Sequence, residues 1–229
     1  MQDKTIAAVG SRIKNLIGYD GKESCGVNLN FLFHVVDVPI SPEKTSITPG
    51  CSMIFRREIF EAEPFIPEYF GNCEDVYLSI FALFKCYRIK VNPKSFLIHK
   101  GGASVRKIPT TMDFHMEKNN LANFFILYNW LTILKLMHLF ILFNLWVLFS
   151  AIFRGIFKYK IRAYIWLIKN FKLILRYKKI VNRQKKITDK ELIRNYLSYK
   201  LPHGKKSTKI LNNLTKIYLY IVCIKTRDM

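Results

Sequence analysis

The sequence predicts an α/β domain followed by a transmembrane helix and basic amphipathic helices. Three observations predict it. Before Asn120, acids and bases are mixed, and Pro and Gly punctuate short apolar runs, as in strands and helices around one core. From Leu121 to Phe153 the chain reads LANFFILYNWLTILKLMHLFILFNLWVLFSAIF, in which Lys135 is the sole lysine, arginine or acid. From Arg154 to Thr188 every lysine, arginine or acid is a base. The divisions fall at residues 1–120, 121–157 and 158–229.

In the first part, Ile6 to Val9 is a short apolar run, and Phe31 to Val36 is another beyond a polar turn region. Both suit strand or loop pieces of an α/β domain. Pro39, Pro42 and Pro49 exclude regular helix from the loop Ser41 to Pro49. Cys51 to Phe55 reads as a buried strand, and Arg57 to Glu63 as a short helix stopped by Pro64. Glu74 to Tyr87 is the strongest helix here. Val76, Ile80, Leu83 and Phe84 share one face, which Leu78 and Phe81 widen. Two short strands, Arg88 to Val91 and Phe96 to His99, are expected to flank a turn at Asn92-Pro93.

About 20 apolar residues span a bilayer core as a helix, so the run from Leu121 suffices with length to spare. The rival reading is a buried helix of a soluble domain, although such helices rarely run so long without a polar face. Leu136 to Phe157 is the cleaner span, with Trp130 and Trp146 as interfacial anchors. Beyond it, bases from Arg154 to Lys186 are interleaved with apolar residues such as Tyr164, Trp166 and Phe171. That composition fits a helix lying among lipid headgroups. Nucleic-acid binding is the rival for the same residues. The membrane is preferred because the bases directly abut the apolar run. The segment Ile217 to Ile224 reads as a short docking helix or strand.

The net charge of +21 points to a polyanionic partner, and an apolar content of 50% excludes a disordered chain. Five cysteines, an odd number with no CxxC spacing, argue against a zinc site or disulfide framework and for a reducing compartment.

Candidate chemistry lies between Gly50 and Arg106. Glu74 and Asp75 open a helix, where the positive end of the dipole favours ionised carboxylates. Such a carboxylate can take a proton from an attacking hydroxyl, or it can simply cap the helix. Gly50-Cys51-Ser52 can bring backbone N–H groups close to a ligand, or form an ordinary turn into a strand. Arg56-Arg57 can pair with phosphate or solvate a helix start. His99-Lys100-Gly101-Gly102 ends a strand in a basic turn able to hold a diphosphate, and the alternative is a plain strand-end histidine.

Taken in order, these clusters resemble the acceptor-side half of family 2 glycosyltransferases of the GT-A (Rossmann-like) fold. The matching residues are Gly50 to Ser52, Arg56 to Glu58, Pro67 to Asp75, His99 to Ser104, and the pair Lys118-Asn119. The resemblance spans roughly Ile6 to Asn123. It implies that Asp75 is the catalytic base of an inverting transfer, supported by Glu74. It places Gly50, Cys51 and Ser52 at the acceptor. His99, Lys100 and Arg106 would meet the donor diphosphate, with His99 also at an Mg²⁺ or Mn²⁺ cofactor. The implied partners are a nucleotide-sugar and a lipid-linked or polysaccharide acceptor at the cytoplasmic face of the membrane, without nucleic acid.

One departure bears on all of this. The family holds its cation with a D-x-D-like motif in an N-terminal nucleotide-binding half, and no D-x-D occurs in this sequence. The resemblance therefore leads one to expect that the donor half is absent from this chain, through truncation, a split gene or a misplaced start codon. The alternative is a non-catalytic, membrane-anchored partner or remnant that needs a separate nucleotide-binding chain.

Overall fold

The computed structural model describes residues 3–15, 23–41, 45, 47–62, 65–100, 109–202 and 207–229. The fold is mixed α/β, in two compact units that do not follow chain order. The first joins Met1–Pro64, Asp75–Gly102 and Lys185–Met229, and the second joins Phe65–Glu74 to Ala103–Gln184.

The first unit is built on β1 (Ile6–Asn15). On one edge β1 pairs in parallel with β6 (Arg88–His99). Its other edge is shared by two antiparallel strands, β5 (Met53–Phe55) beside residues 8 to 10 and β2 (Glu23–Ser24) beside residues 13 and 14. Ile6, Ala7 and Ala8 are all buried, as a central strand requires. β3 (Asn28–Leu29) and β4 (Val35–Asp37) form a separate antiparallel pair. Between β5 and the next helix, Arg57–Ala62 forms a 3-10 helix.

α1 (Glu74–Phe84) is buried on every side from Val76 to Phe84, so it is a core helix rather than an amphipathic one. It stops short of Tyr87. The Cys86 N–H donates to the Leu83 carbonyl and the Tyr87 N–H to the Ala82 carbonyl, with Cys86 at φ 63°. This is the left-handed closure that glycine usually supplies.

Two strand expectations are corrected. β6 is one strand: Asn92 faces Ser11 and Phe96 faces Arg12, so Pro93 to Ser95 have no counterpart on β1. Pro93 interrupts the ladder as a bulge without reversing the chain, because proline lacks the N–H that a regular ladder needs. β5 is half-buried rather than buried, with Ile54 exposed.

The tail closes the first unit. A capping box at Thr188 and Glu191 starts α6 (Asp189–Tyr196). Ser198 then exchanges backbone hydrogen bonds with Leu29 and Phe31. The segment around Ile217 to Ile224 is helical, as the last turns of α7 (Ser207–Ile221) and its cap.

The second unit is helical: α2 (Pro109–Leu127), α3 (Trp130–Phe153), α4 (Phe157–Lys169) and α5 (Phe171–Gln184). The long apolar run is thus not one helix, since it breaks at Tyr128-Asn129. α3 is long and apolar enough to cross a membrane, with a mean hydropathy of 2.1 over its best window. It ends before Phe157 because Gly155, at φ 67°, donates to the Ile152 carbonyl and closes the helix. Phe124 stacks on Phe140 with ring centroids 4.2 Å apart, joining α2 to α3.

α4 and α5 fold back along α2. Lys160 forms a buried ion pair with Glu117, Lys118 and Arg162 both lie over the Phe114 ring, and Lys178 donates to the carbonyls of Phe125 and Tyr128. These last carbonyls belong to the end of α2, where a cation completes the hydrogen bonding that the helix leaves undone. The basic segment therefore returns to the starting end of α3 instead of continuing away from its far end.

Replacing the exposed Cys86 by glycine should stabilise the protein by about 1 kcal/mol, since a left-handed residue with a Cβ is strained by roughly that amount. Denaturant unfolding of both forms measures it.

Candidate functional site

Among the described residues, the stretch leading to the acidic pair holds the one run of consecutive left-handed residues. Gly71, Asn72 and Cys73 lie in succession at φ 64°, 62° and 63°. L-residues visit this region singly, not in runs, so other contacts must hold the turn. α2 supplies them. The Asn119 side-chain amide donates to the Gly71 carbonyl at 3.0 Å and to the Asn72 carbonyl at 2.7 Å. The Asn123 amide donates to the Cys73 carbonyl at 3.1 Å and accepts from the Tyr69 hydroxyl at 3.0 Å. Lys118 donates to the Glu68 carbonyl. Positions 119 and 123 are one helical turn apart, so both amides leave the same face of α2.

The turn delivers Glu74 and Asp75 to the start of α1. Asp75 Oδ2 accepts from the Gly50 N–H at 3.0 Å, and Oδ1 accepts from the Val76 N–H at 2.8 Å. The structure thus brings two of the expected residues together, in a role the sequence did not suggest for the glycine. The Gly50 N–H is engaged by the carboxylate, so it positions Asp75. Ser52 uses its N–H on the Pro49 carbonyl and its hydroxyl on Ser11. Cys51 and Gly50 are exposed, and Ser52 is half-buried.

Helix-start electrostatics led to the expectation of a readily ionised pair. For Asp75 the outcome is reversed. Burial raises its carboxyl above the ordinary range, and the N–H groups of Gly50 and Val76 offset that only in part. A carboxylate raised toward neutrality is a better proton acceptor than an ordinary one. Glu74 stands beside it, half-buried.

A second polar group lies on the sheet. The hydroxyls of Ser52, just before β5, Ser11 of β1 and Ser95 of β6 form a chain, each step 2.7 Å. Ser95 reaches Ser11 because the bulge at Pro93 puts it out of step with the ladder. Gly10, beside them, has no room for a Cβ, which would strike the Thr48 hydroxyl.

His99 is not part of this grouping. It ends β6 opposite Asn15, four register steps beyond Ser11, on the order of 13 Å along the sheet. Lys100 follows it, exposed. Arg106 and the turn at residues 101–104 lie outside the described residues. Arg56, expected at a phosphate or a helix start, instead donates to the Ile6 and Asp3 carbonyls and fastens the entry to β1. Among the described residues no three His, Cys, Asp or Glu side chains converge on a point. Hard divalent cations need several oxygen ligands, so His99 and its described surroundings do not fit Mg²⁺ or Mn²⁺.

No family model, curated protein or solved structure matches this chain.

Sequence reading missed Asn123, Ser11 and Ser95, and took Lys118-Asn119 only as a motif pair. The signal for Asn119 and Asn123 was their spacing of four on a helix whose residues 124–127 are all apolar.

Asn119→Ala should destabilise the second unit by about 2–4 kcal/mol, since two carbonyls lose their donor and the strained turn loses its hold. Thermal unfolding reads this directly. Asp75 gives a pH signature. With its folded pKa raised, its contribution to stability is fully present below the unfolded carboxyl pKa and is lost as pH rises through the folded value. The stability of Asp75→Asn relative to wild type should therefore improve from acid toward neutral pH. Urea titrations across that range test the sign.

Proposed function

We propose that the chain is the acceptor-side part of an inverting glycosyltransferase acting at a membrane. The observation that carries this reading is Asp75: a carboxylate at a helix start, fixed by the Gly50 and Val76 N–H groups, with its pKa raised by burial. Fixing both oxygens pre-orients the base, and each retains a lone pair for an incoming hydroxyl. In the proposed step Asp75 takes the proton of the acceptor hydroxyl as that oxygen attacks the anomeric carbon. The bond to the nucleotide diphosphate breaks as the new one forms, inverting the centre. Cys51 and Ser52 line the acceptor side, and His99, Lys100 and Arg106 are assigned to the donor diphosphate. α3 would hold this chemistry at a bilayer carrying a lipid-linked or polysaccharide acceptor, on the cytoplasmic face.

A second reading is a non-catalytic, membrane-anchored partner of a separate nucleotide-binding chain. The missing D-x-D and the lack of a convergent ligand set among the described residues favour it.

The test uses the full chain in nanodiscs with labelled nucleotide-sugars and a polyprenyl phosphate or glycan acceptor. Asp75→Asn should lower transfer by about 10²–10⁴-fold with expression and folding retained. Undiminished transfer in that variant would sink Asp75 as the base. Absence of transfer by the wild type, restored by adding a nucleotide-binding chain, would favour the second reading.

A further inference from the structure

An open cavity of about 370 Å³ lies at the start of α3. Trp130, the first residue of α3, forms one side of it. Leu175, Lys178, Lys179, Asn182 and Arg183 of α5 form the other. Their spacing of three and four places all five on one face of α5. The volume falls at the small end of ligand sites.

Its chemistry is cationic with an apolar edge. Lys178 is buried, bound to the Phe125 and Tyr128 carbonyls, with its ammonium 4.3 Å from the centre of the Trp130 ring. It builds the wall and fixes the indole. Lys179 and Arg183 are exposed and form no ion pair among the described residues. They stand one helical turn apart, where like charges repel unless an anion lies between them. No acid occurs in the sequence from Arg154 to Thr188 to serve as that anion. Lysine and arginine together suit phosphate, the arginine by paired hydrogen bonds. Trp130 and Leu175, each partly exposed, give the same cavity a surface for an aliphatic chain.

Position selects the source of the phosphate. Trp130 opens the one described helix apolar enough to enter a bilayer, and tryptophan favours the headgroup level. We propose that this cavity binds the phosphate headgroup of an anionic lipid, with Lys179 and Arg183 holding the phosphate and Trp130 and Leu175 taking the adjoining chain. The site rests on the membrane reading of α3 and is independent of sugar transfer.

The experiment is equilibrium titration of the purified full chain, in nonionic detergent, with a short-chain phosphatidic acid and separately with inorganic phosphate. Wild type should bind the lipid saturably and more tightly than inorganic phosphate. Neutralising both cations in Lys179→Gln/Arg183→Gln should weaken lipid binding about tenfold or more, with the circular dichroism unchanged. A matched pair, Arg154→Gln/Lys158→Gln, removes the same charge at the far end of α3 and should leave affinity near wild type. Equal losses in the two double variants would overturn the site in favour of bulk charge attraction. Unaltered binding in the Lys179/Arg183 variant, or inorganic phosphate binding as tightly as the lipid, would also overturn it. Alkaline extraction of wild type from membranes tests α3 separately: release would defeat the membrane reading on which the proposal stands.

Discussion

The approach to Glu74 and Asp75 depends on two asparagine side chains. Gly71, Asn72 and Cys73 form a left-handed turn that would relax without support, since each residue with a Cβ is strained there. Asn119 and Asn123 supply that support by binding all three carbonyls of the turn. Placing the donors on consecutive turns of a well-formed helix makes the hold rigid, because neither amide can shift without α2. Strain of this kind persists only where its surroundings over-determine it, and such places are often where chains do chemistry. Here it immediately precedes the acidic pair, and Asp75 in turn is fixed by Gly50 and by the first turn of its own helix.

Charge in the second unit is organised by the same economy of donors and acceptors. Three basic side chains that the sequence presents as one undifferentiated run have three different fates. Lys160 is buried against Glu117, Lys178 completes the carbonyls at the end of α2, and Lys179 stays in solvent. A buried ammonium requires such partners, because desolvation without them is prohibitive. The exposed cations carry no such requirement, which leaves them available to an external anion. The apolar face of α3 and the cations of α5 consequently meet at one end of that helix, at Trp130.

The sheet of the first unit shows how a local irregularity brings side chains of separate strands together. Pro93 cannot donate to the ladder, three residues of β6 fall out of register, and Ser95 swings onto Ser11. The same β1 segment carries Gly10, whose missing side chain admits Thr48. Small residues and a proline, unremarkable in composition, thus fix how the strands meet next to Ser52.

Apolar periodicity and composition alone determined the presence of the helix after Glu74, the strand starting at Ile6, an apolar helix long enough for a bilayer, and the basic helices beyond it. These depend on side chains facing a core or a solvent, which repeats along the chain and is readable there. Proximity of Gly50 to Asp75 was anticipated only as membership of one region. That the glycine N–H binds the carboxylate, that burial outweighs the helix start in setting its pKa, and that His99 stands well away along the sheet were decided by tertiary structure. So were the break at Tyr128-Asn129 and the return of the cationic helices to α2. Each depends on which distant backbone groups lack partners and on which side chain is near enough to supply them. One-dimensional spacing does not carry that information, because hydrogen bonds and burial are satisfied across the fold.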